Sequence, residues 1–420
     1  MAGYQAGLKI AVGDEWEPFA GMEERADALR AFVDSVPFNR PPGSRQMSAV
    51  PIDIPDNLPV PDQKTLSTQE AFGRIMYDLA GSRTDLADRI VTTSPDVTQS
   101  TNLGGWVNRR GIFARDKKAD VFRAEQVPSA QKWEFTDAGQ HLELGIAENN
   151  LFILLGALGL SHHHFGKRLF PVGTLYDPFI ARGLDALNYA CYQDARFMVV
   201  ATPSGITLAP EGGAHQSVST PLIGIGQPGL SSFEPAYAQE LATIMRWGFD
   251  HMQADNGGAV YLRLSTRPLV QPDWSVEGKY NDGVIAGAYW RTHPVTPDAG
   301  SIIYMGAVAP EAEAAHAKLA NSGDGPGLLA VTSPDRLYEN WRIRGPDSYI
   351  ASLLKVLPPG APLVTVLDGH PATLSWMAGV HGHRNRPLGV DRFGQCGDLP
   401  SLYNEYGLDS ESICTAYRDI

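Results

Sequence analysis

Apolar and polar positions follow helix-like and strand-like periods in turn from about residue 67 onward. The segment 67–81, STQEAFGRIMYDLAG, has the apolar spacing of a helix, and 89–94, RIVTTS, has the composition of a strand. The alternation continues with helices at 143–159, 178–190 and 235–252 and strands at 168–173, 196–202 and 259–265. Strands that alternate with long helices are typical of a parallel sheet covered on both faces, so the pattern predicts an α/β fold.

The alternation restarts at smaller size after a boundary near 272–283 that is rich in Gly, Pro and Asp. The strands SIIYMG, GLLAVT and PLVTVLD belong to this second part. The first sixty residues differ because prolines break up any long helix or strand there, namely Pro41, Pro42, Pro51, Pro55, Pro59 and Pro61. We therefore expect an N-terminal arm or linker at 1–64 and two doubly wound α/β domains at 65–275 and 276–420.

Composition limits the possible function classes. The chain has 420 residues, of which 43% are hydrophobic and 19% charged, and a net charge of −13 without acidic or basic blocks. This charge argues against nucleic acid or a membrane surface as a partner. Cys191, Cys396 and Cys414 form neither a metal-ligand spacing nor a secreted disulfide framework, so we expect a cytoplasmic protein. No apolar run approaches the roughly 20 residues of a membrane span.

Chemistry is expected in loops that follow strands, where open α/β sheets keep their sites. SPDVTQSTNLGGW carries Asp96 and Thr98, and TPSGITLAPEGGAHQSVSTP carries His215 and Gln216. The alternatives are an Asp-capped turn and a surface histidine. A third loop, GVDRFGQCGD, has simple packing as its alternative. Glu148 stands alone at the mouth of an apolar helix, so it must be exposed, paired or protonated.

The run from His162 to His164 invites a metal-site interpretation. Adjacent residues of an extended segment point to opposite faces, so all three side chains cannot easily face one ion. We therefore expect a polar loop here. Nothing in either domain matches a dinucleotide fingerprint with its strand, glycines and downstream acid, and the sequence has no GxxxxGK[ST] phosphate loop. Rossmann and P-loop functions are therefore disfavoured.

Several of these segments together resemble the transketolase-like thiamine diphosphate enzymes. In chain order they are SPDVT, ELGIAENN, FPVGTLYDPFIARGLDAL, EGGAHQS with FEPAYAQEL, and VDRFGQCGDLPSLYNEYGL. The resemblance covers nearly the whole chain and implies a pyrimidine-binding domain followed by a transketolase C-terminal-like domain. The closing segment and LSTQEAF are most similar to the single-chain type of pyruvate dehydrogenase first component, whereas AHQ is more similar to transketolase.

The resemblance implies a role for each candidate residue. Glu148 falls on the glutamate that hydrogen-bonds the ring nitrogen of the aminopyrimidine of thiamine diphosphate, and a carboxyl in an apolar site suits that role. His215, with Gln216 beside it, falls on the active-site histidine that binds or protonates substrate oxygens. Asp96 and Thr98 match a pair that lies near the thiazolium ring.

Three further positions carry weaker implications. Phe170 and Tyr176 match aromatic positions that pack around the aminopyrimidine, with a place in the core as the alternative. Gly173 departs from the pattern, because transketolases tend to have another aromatic residue there. Arg267, in RLSTRPL, falls near an arginine that binds sugar phosphate in transketolases, and its alternative is a solvent-exposed arginine after a strand.

The resemblance also implies Mg²⁺, which these enzymes hold through a GDG motif and a downstream asparagine in a separate domain N-terminal to the pyrimidine-binding one. We expect no GDG triplet in this chain, and the opening MAGYQAGLKIAVGDEWEPFAG resembles the tail of that domain with its linker. We therefore expect no metal ligands in this chain. We expect a separate partner chain with the diphosphate-binding domain, in a heterodimer or heterotetramer, or else that this chain is a fragment.

The leading hypothesis is a subunit of a split pyruvate dehydrogenase-type component, which decarboxylates a 2-oxo acid and passes an acyl unit to a lipoyl-bearing protein. One alternative is transfer of a two-carbon ketol unit from a ketose, as in transketolase. The other is a non-catalytic subunit with a role in assembly or regulation.

Overall fold

A computed structural model describes residues 2–36, 39, 48–116, 133–274, 281–296 and 298–420. The helices are α1 (Ala2–Gly7), α2 (Ala26–Ser35), α3 (Thr68–Gly81), α4 (Asp85–Arg89), α5 (Gly104–Arg110), α6 (Glu148–Gly159), α7 (Ser161–Phe165), α8 (Leu184–Tyr192), α9 (Pro221–Gly226), α10 (Ala238–Gln253), α11 (Asn281–Ala286), α12 (Ala309–Asn321), α13 (Pro334–Arg344), α14 (Tyr349–Leu354), α15 (Ala372–Ser375), α16 (Leu399–Glu405) and α17 (Ser410–Arg418). None of these helices, all within the described residues, has the length and apolarity needed to cross a membrane.

The strands are β1 (Thr65–Leu66), β2 (Ile90–Ser94), β3 (Ile112–Phe113), β4 (Phe135–Thr136), β5 (His141–Glu143), β6 (Phe170–Leu175), β7 (Met198–Ala201), β8 (Leu230–Phe233), β9 (Ala259–Arg263), β10 (Leu269–Val270), β11 (Ala288–Thr292), β12 (Ser301–Met305), β13 (Gly327–Val331), β14 (Pro362–Leu367) and β15 (Arg384–Leu388). The chain divides into a small unit, Met1–Val50 with Leu160–Arg168, and a large unit, Pro51–Gly159 with Leu169–Ile420.

The small unit contains helices that the sequence patterns did not predict. Residues 26–35 form α2, so the arm expected for the first sixty residues is helical in that part, which contains no proline. The histidine run lies in α7, which Gly166 ends in a left-handed conformation, φ +67°. The prediction of a polar loop at His162 to His164 was therefore wrong, and His162 is buried.

The large unit contains the predicted parallel sheet. Its eight strands run in the order β4-β3-β5-β2-β6-β7-β9-β8, and every neighbouring pair is parallel. All four residues of β7 and all five of β9 are buried, as expected for strands covered on both faces. The predicted α/β architecture is confirmed.

The second sheet belongs to the same compact unit. Its order is β11-β13-β12-β14-β15, in which β11 runs antiparallel to β13 and the other pairs are parallel. We call residues 281–420 the C-terminal domain below. A separate two-stranded ribbon pairs β1 with β10.

Two helices near the site begin later than the sequence pattern indicated. Residues 141–143 form β5, so the apolar helix begins at Glu148 and not at Glu143. The helix predicted at 178–190 starts as a 3-10 turn, Asp177–Gly183, and continues as α8. A Cβ atom at Gly183 would collide with Phe152 of α6, so the glycine permits close packing of this turn on α6.

Arg263, at the end of β9, holds a buried group of acids where the two sheets meet. Its Nε donates to Asp177 Oδ2 at 2.9 Å, its Nη1 to Glu234 Oε2 at 2.6 Å, and its Nη2 to the backbone oxygen of Asp368 at 2.9 Å. Only 2% of the Arg263 side chain is exposed. The Asp368 carboxylate accepts hydrogen bonds from the Ile206 amide and the Tyr403 hydroxyl.

Two buried carboxylates, those of Asp177 and Glu234, therefore bond one guanidinium, and the charge of that guanidinium also acts on the buried Asp368 carboxyl. Burial raises the pKa of Glu234 to about 7, although Arg263 opposes that shift. Burial likewise raises the pKa of Asp368 to about 6 against the same opposing charge. A buried acid without a full counter-charge retains its proton to higher pH, which explains why the pKa values of Glu234 and Asp368 are both raised.

The substitution Arg263→Met should destabilise the large unit strongly, because it leaves buried acids without their cation. We expect a loss of about 3–5 kcal/mol in the free energy of unfolding, measured by urea denaturation of the full chain. Arg342→Met is the matched control, since Arg342 is paired with Glu339 at the surface. Equal denaturation midpoints for the two variants would contradict a structural role for Arg263.

Glu234 should make the protein less stable as the pH rises. The folded chain retains the Glu234 proton up to about pH 7, whereas the unfolded chain releases it near the ordinary glutamate pKa of 4.5. Stability from this group is therefore complete below the lower value and lost as the pH approaches the higher one. Between about pH 5 and about pH 8 the free energy of unfolding should therefore decline less in Glu234→Gln than in the parent chain, by roughly 2–3 kcal/mol. Denaturation curves at each pH test this, with Glu411→Gln as the exposed control.

Candidate functional site

Five neighbouring strands place most of the predicted residues at one edge of the large sheet. The strands β5, β2, β6, β7 and β9 are adjacent and parallel, so their carboxyl ends meet there. The residues that follow these ends are Asp96 and Thr98 after β2, Glu148 after β5, Tyr176 after β6, His215 and Gln216 after β7, and Arg267 after β9. Within this edge the side chains separate into distinct groups.

Glu148 is the first residue of α6 and its side chain is only 8% exposed. The carboxylate is paired, because Arg182 Nη1 donates to Glu148 Oε1 at 2.5 Å. The Arg182 side chain is 51% exposed. The acid that the sequence left without a partner therefore has one, a half-exposed cation from the turn that follows β6.

An aromatic group adjoins this ion pair. The rings of Tyr176 and Phe179 are nearly parallel, with centroids 5.9 Å apart and 10° between their planes. The His215 ring meets both edge-on, at 5.8 Å from Tyr176 and 5.7 Å from Phe179. The Arg182 guanidinium lies 3.9 Å from the Phe179 centroid, a cation–π contact. Glu148 and His215 are thus connected through Arg182 and Phe179 in one group, which we call the Glu148 cluster.

Asp96 and Thr98 belong to a second group around Glu143. The Thr98 hydroxyl donates to Glu143 Oε2 at 2.7 Å, and the Asp96 amide donates to Glu143 Oε1 at 2.9 Å. Burial alone would raise the pKa of Glu143, but hydrogen bonds from His141, Thr98 and the Asp96 amide together lower it. These bonds also hold Asp96 in a left-handed conformation, φ +64°.

His141 completes this second group and is fully buried. Its Nδ1 lies 2.9 Å from the Thr92 hydroxyl, and its Nε2 lies 3.2 Å from the Thr98 hydroxyl. The Thr98 hydrogen is already donated to Glu143, so the network is satisfied when His141 carries its hydrogen on Nε2. The group therefore fixes the loop after β2 against the end of β5.

Phe170 does not join either group. It is the first residue of β6, at the opposite end of the strand from Tyr176, and its side chain is buried against Phe249, with ring centroids 5.8 Å apart. The core alternative holds for Phe170, and its predicted contact with the cofactor gains no support from this position.

Gln216 and Arg267 both face the C-terminal domain. Gln216 is buried, and its amide Nε2 donates to the backbone oxygen of Gln395 at 3.0 Å. Arg267 donates to both carboxylate oxygens of Glu311 at 2.7 Å. The bonds of the Arg267 guanidinium and of the Gln216 amide are thus made outside the Glu148 cluster. The solvent-exposed alternative for Arg267 was wrong, because only 19% of its side chain is exposed.

Gly173 explains one departure from the transketolase pattern. A Cβ atom at Gly173 would lie 2.7 Å from Leu155 Cδ1 and 3.2 Å from Leu151 Cδ1, both on α6. The leucines of α6 therefore fill the space in which a larger side chain at this position would lie.

Arg182, Phe179 and Glu143 were missed by the sequence reasoning. The first two lie in the segment FPVGTLYDPFIARGLDAL, three residues apart, which is the spacing that brings side chains together on one helical face. This signal was available for Arg182 and Phe179. Glu143 had no comparable signal, because its partners come from a loop far away in sequence.

The expectation that the chain contains no GDG triplet was wrong, because one occurs at Gly323–Asp324–Gly325. It forms the turn between α12 and β13, with φ +92° at Gly323 and +48° at Gly325, and Asp324 is exposed. Among the described residues the structure has no group of three or more His, Cys, Asp or Glu side chains that could hold a metal ion. This triplet is a connecting turn of the C-terminal domain, in a different place from the family's magnesium motif.

Known proteins resemble this chain in sequence and in fold. Residues 60–267 match the family described as the pyruvate dehydrogenase E1 component middle domain. The pyruvate dehydrogenase E1 component of Mycolicibacterium smegmatis is 26% identical over 431 aligned positions, which cover 96% of this chain and 44% of that protein. The chain thus spans less than half the length of this curated relative.

Solved structures share the fold. Transketolase from Leishmania mexicana superposes with a TM-score of 0.66 at 19% identity, over 95% of this chain and 50% of that one. A structure titled split gene transketolase, inactive beta4 tetramer, superposes with a TM-score of 0.53 at 18% identity, over 84% of this chain and 98% of that one. The chain is thus similar to the transketolase-like thiamine diphosphate enzymes in sequence and in fold. The match to the pyruvate dehydrogenase E1 component middle domain is confined to residues 60–267.

Proposed function

We propose that this chain supplies the pyrimidine-binding half of a thiamine diphosphate site in an enzyme that decarboxylates a 2-oxo acid. Pyruvate is the leading substrate, and the acyl unit passes to the lipoyl group of a partner protein. The observation that carries the proposal is the Glu148 cluster, in which a buried carboxylate, parallel aromatic rings and an imidazole share one sheet edge.

The residues of this cluster fit an aminopyrimidine. A flat heteroaromatic ring needs an apolar face to stack on and a carboxyl to bond its ring nitrogen. Tyr176 and Phe179 offer such a face, and Glu148 offers the carboxyl at the amino end of α6. Arg182 occupies only Oε1 in the bond that the structure shows, and it is half exposed, so it can yield to a ligand without opening the core.

Each residue then has a defined task. Thiamine diphosphate, when bound, supplies the carbon nucleophile that attacks the substrate carbonyl. Glu148 would hydrogen-bond the pyrimidine ring nitrogen and share a proton with it. His215 would donate a hydrogen bond from a ring N–H to the substrate oxygen. Asp96 and Thr98 border the thiazolium side, held in place by Glu143.

We infer that the diphosphate and its Mg²⁺ would be bound by a separate diphosphate-binding domain. The chain matches about half the length of its relatives, and the split-gene transketolase gives a precedent for division of this fold between chains. We infer a heterodimer or heterotetramer with a partner that carries the diphosphate-binding domain. The metal ligands would come from that partner.

Two other functions are specific enough to test. Transfer of a two-carbon ketol unit is favoured by the transketolase fold of the structural neighbours. A non-catalytic assembly subunit is favoured by the ion pair on Glu148, which keeps the acid satisfied without any ligand.

Substrate assays on the reconstituted pair separate these functions. With thiamine diphosphate and Mg²⁺ present, we expect turnover of pyruvate coupled to reductive acylation of a lipoyl domain. Turnover of xylulose 5-phosphate with an aldose acceptor, and none of pyruvate, would establish the ketol-transfer alternative. If neither reaction proceeds although the cofactor binds to the pair, the non-catalytic role is the correct one.

Glu148→Gln should abolish turnover while leaving the fold intact. An amide cannot share a proton with the pyrimidine nitrogen, so we expect kcat to fall by about 10²–10⁴-fold. Glu411→Gln, the same change in the first turn of α17, is the matched control and should retain full activity. The measurement is steady-state kinetics together with circular dichroism. A Glu148→Gln enzyme with normal kcat would refute the proposed role.

A further inference from the structure

The loop that carries His215, residues 203–220, is bound at both ends by the C-terminal domain. We call it the His215 loop. Near its start, the Ile206 amide donates to Asp368 Oδ1 at 2.9 Å, and near its end the Val218 oxygen accepts from the His370 amide at 2.8 Å. Gly205 has φ +61°, and a Cβ atom there would collide with the Asp368 carboxylate. Both ends are therefore fixed by the segment that follows β14.

The middle of the His215 loop is bound by a second segment of the C-terminal domain, residues 394–397, which follows β15. We call it the 394–397 segment. Its bonds to the loop are Cys396 Sγ to the Pro210 oxygen at 2.7 Å, Gly397 N to the Ala209 oxygen at 3.2 Å, and Gln216 Nε2 to the Gln395 oxygen at 3.0 Å. The loop GVDRFGQCGD thus packs on the loop EGGAHQS.

Glycines allow this close approach. A Cβ atom at Gly394 would collide with Gln216 Oε1, and one at Gly213 would collide with the Gly394 oxygen. Gly212 has φ +78°, and its Cβ position lies 3.3 Å from Cys396 Cβ. A side chain larger than hydrogen at position 394 would therefore displace the Gln216 amide, and with it the hydrogen bond from Gln216 to the Gln395 oxygen.

The His215 side chain itself has little to fix its position. Among the described residues its Nδ1 has no hydrogen-bond partner, and it lies 3.6 Å from Glu211 Oε2 on the same loop, an ion-pair distance that applies when the ring is protonated. The side chain is 36% exposed, and its ring makes edge-to-face contacts with Tyr176 and Phe179. Its location therefore depends on where the backbone of the His215 loop is held.

We propose that the C-terminal domain positions His215, through the 394–397 segment and the residues that follow β14. The domain is then part of the active site and not a separate module. This inference rests on the proposed function in so far as His215 contacts substrate. Gly394 and Gln216 are positioning residues in this arrangement, because they act through the loop and not on the substrate.

Gly394→Ala in the full chain tests the contact without cofactor, partner or substrate. Cys396 is the exposed cysteine among the three, while burial raises the pKa of Cys191 to about 12 and also raises that of Cys414. Reaction with Ellman's reagent should therefore report on Cys396. We expect the reaction to accelerate by about tenfold or more when the segment opens locally. Gly226→Ala is the matched control, since nothing lies within 4 Å of its Cβ position.

A second measurement follows His215 directly. In the proton spectrum the His215 ring resonance is identified by its loss in His215→Asn. We expect this resonance to shift in Gly394→Ala and to stay in place in Gly226→Ala. Circular dichroism confirms that each variant is folded. Thiol reactivity and a His215 resonance identical to those of the parent chain would overturn the proposal.

Rescue distinguishes positioning from general damage. Gln216→Ala removes the oxygen with which the new methyl group collides, so the double variant should behave like Gln216→Ala alone. In the reconstituted pair, we expect Gly394→Ala to lower kcat at least about tenfold with KM nearly unchanged, and the double variant to recover part of it. A shifted resonance with unaltered kcat would refute the positioning role. Absence of turnover in the parent pair would refute the proposed function but not the positioning of His215. The thiol reaction and the His215 resonance are measured without turnover.

Discussion

The buried guanidinium of Arg263 is the interaction on which the two sheets and the candidate site depend. It lies at the end of β9 and contacts acids from three other places in the fold, namely Asp177 after β6, Glu234 after β8 and the Asp368 backbone after β14. Burial of several acids is tolerable only while they share this cation or retain a proton. The junction between the large sheet and the C-terminal domain is therefore electrostatic as well as apolar.

The same group continues directly into the Glu148 cluster. Asp177 is the first residue of the 3-10 turn that carries Phe179 and Arg182, and Tyr176 immediately precedes it. Hydrogen bonds from Thr220 and Tyr261 at 2.6 Å, together with that of Arg263, fix Asp177 at the start of this turn. The aromatic rings and the cation that faces Glu148 are thus positioned by a buried anchor. The ion pair between Asp177 and Arg263 therefore fixes the backbone next to Tyr176 and at the start of the turn that carries Phe179 and Arg182.

Glu148 shows how one acid can satisfy two conditions. Without a ligand it is paired with Arg182, so the buried carboxylate is not left uncompensated. The Arg182 side chain is about half exposed, and an ion pair with such an exposed partner is held weakly compared with the fully buried pairs of Arg263. The structure thus adds to the sequence pattern an internal partner for Glu148, in an ion pair whose cation is half exposed.

The fold could be predicted from the sequence where local pattern and tertiary context agree. The capping box of Ser67 and Glu70 and the apolar face that follows it define α3 correctly, and buried strands such as β7 and β9 are apolar throughout. Prediction failed where a tertiary contact decided the outcome. The turn at Asp177 is 3-10 because its side chain is anchored and Gly183 packs on Phe152, and Gln216 faces Gln395 because the 394–397 segment lies there. Residue type and chain order located the strand ends at which the candidate residues lie. The direction of each side chain depends on partners that are distant in sequence, from 34 residues for Glu148 and Arg182 to 179 residues for Gln216 and Gln395, and a single sequence does not contain that information.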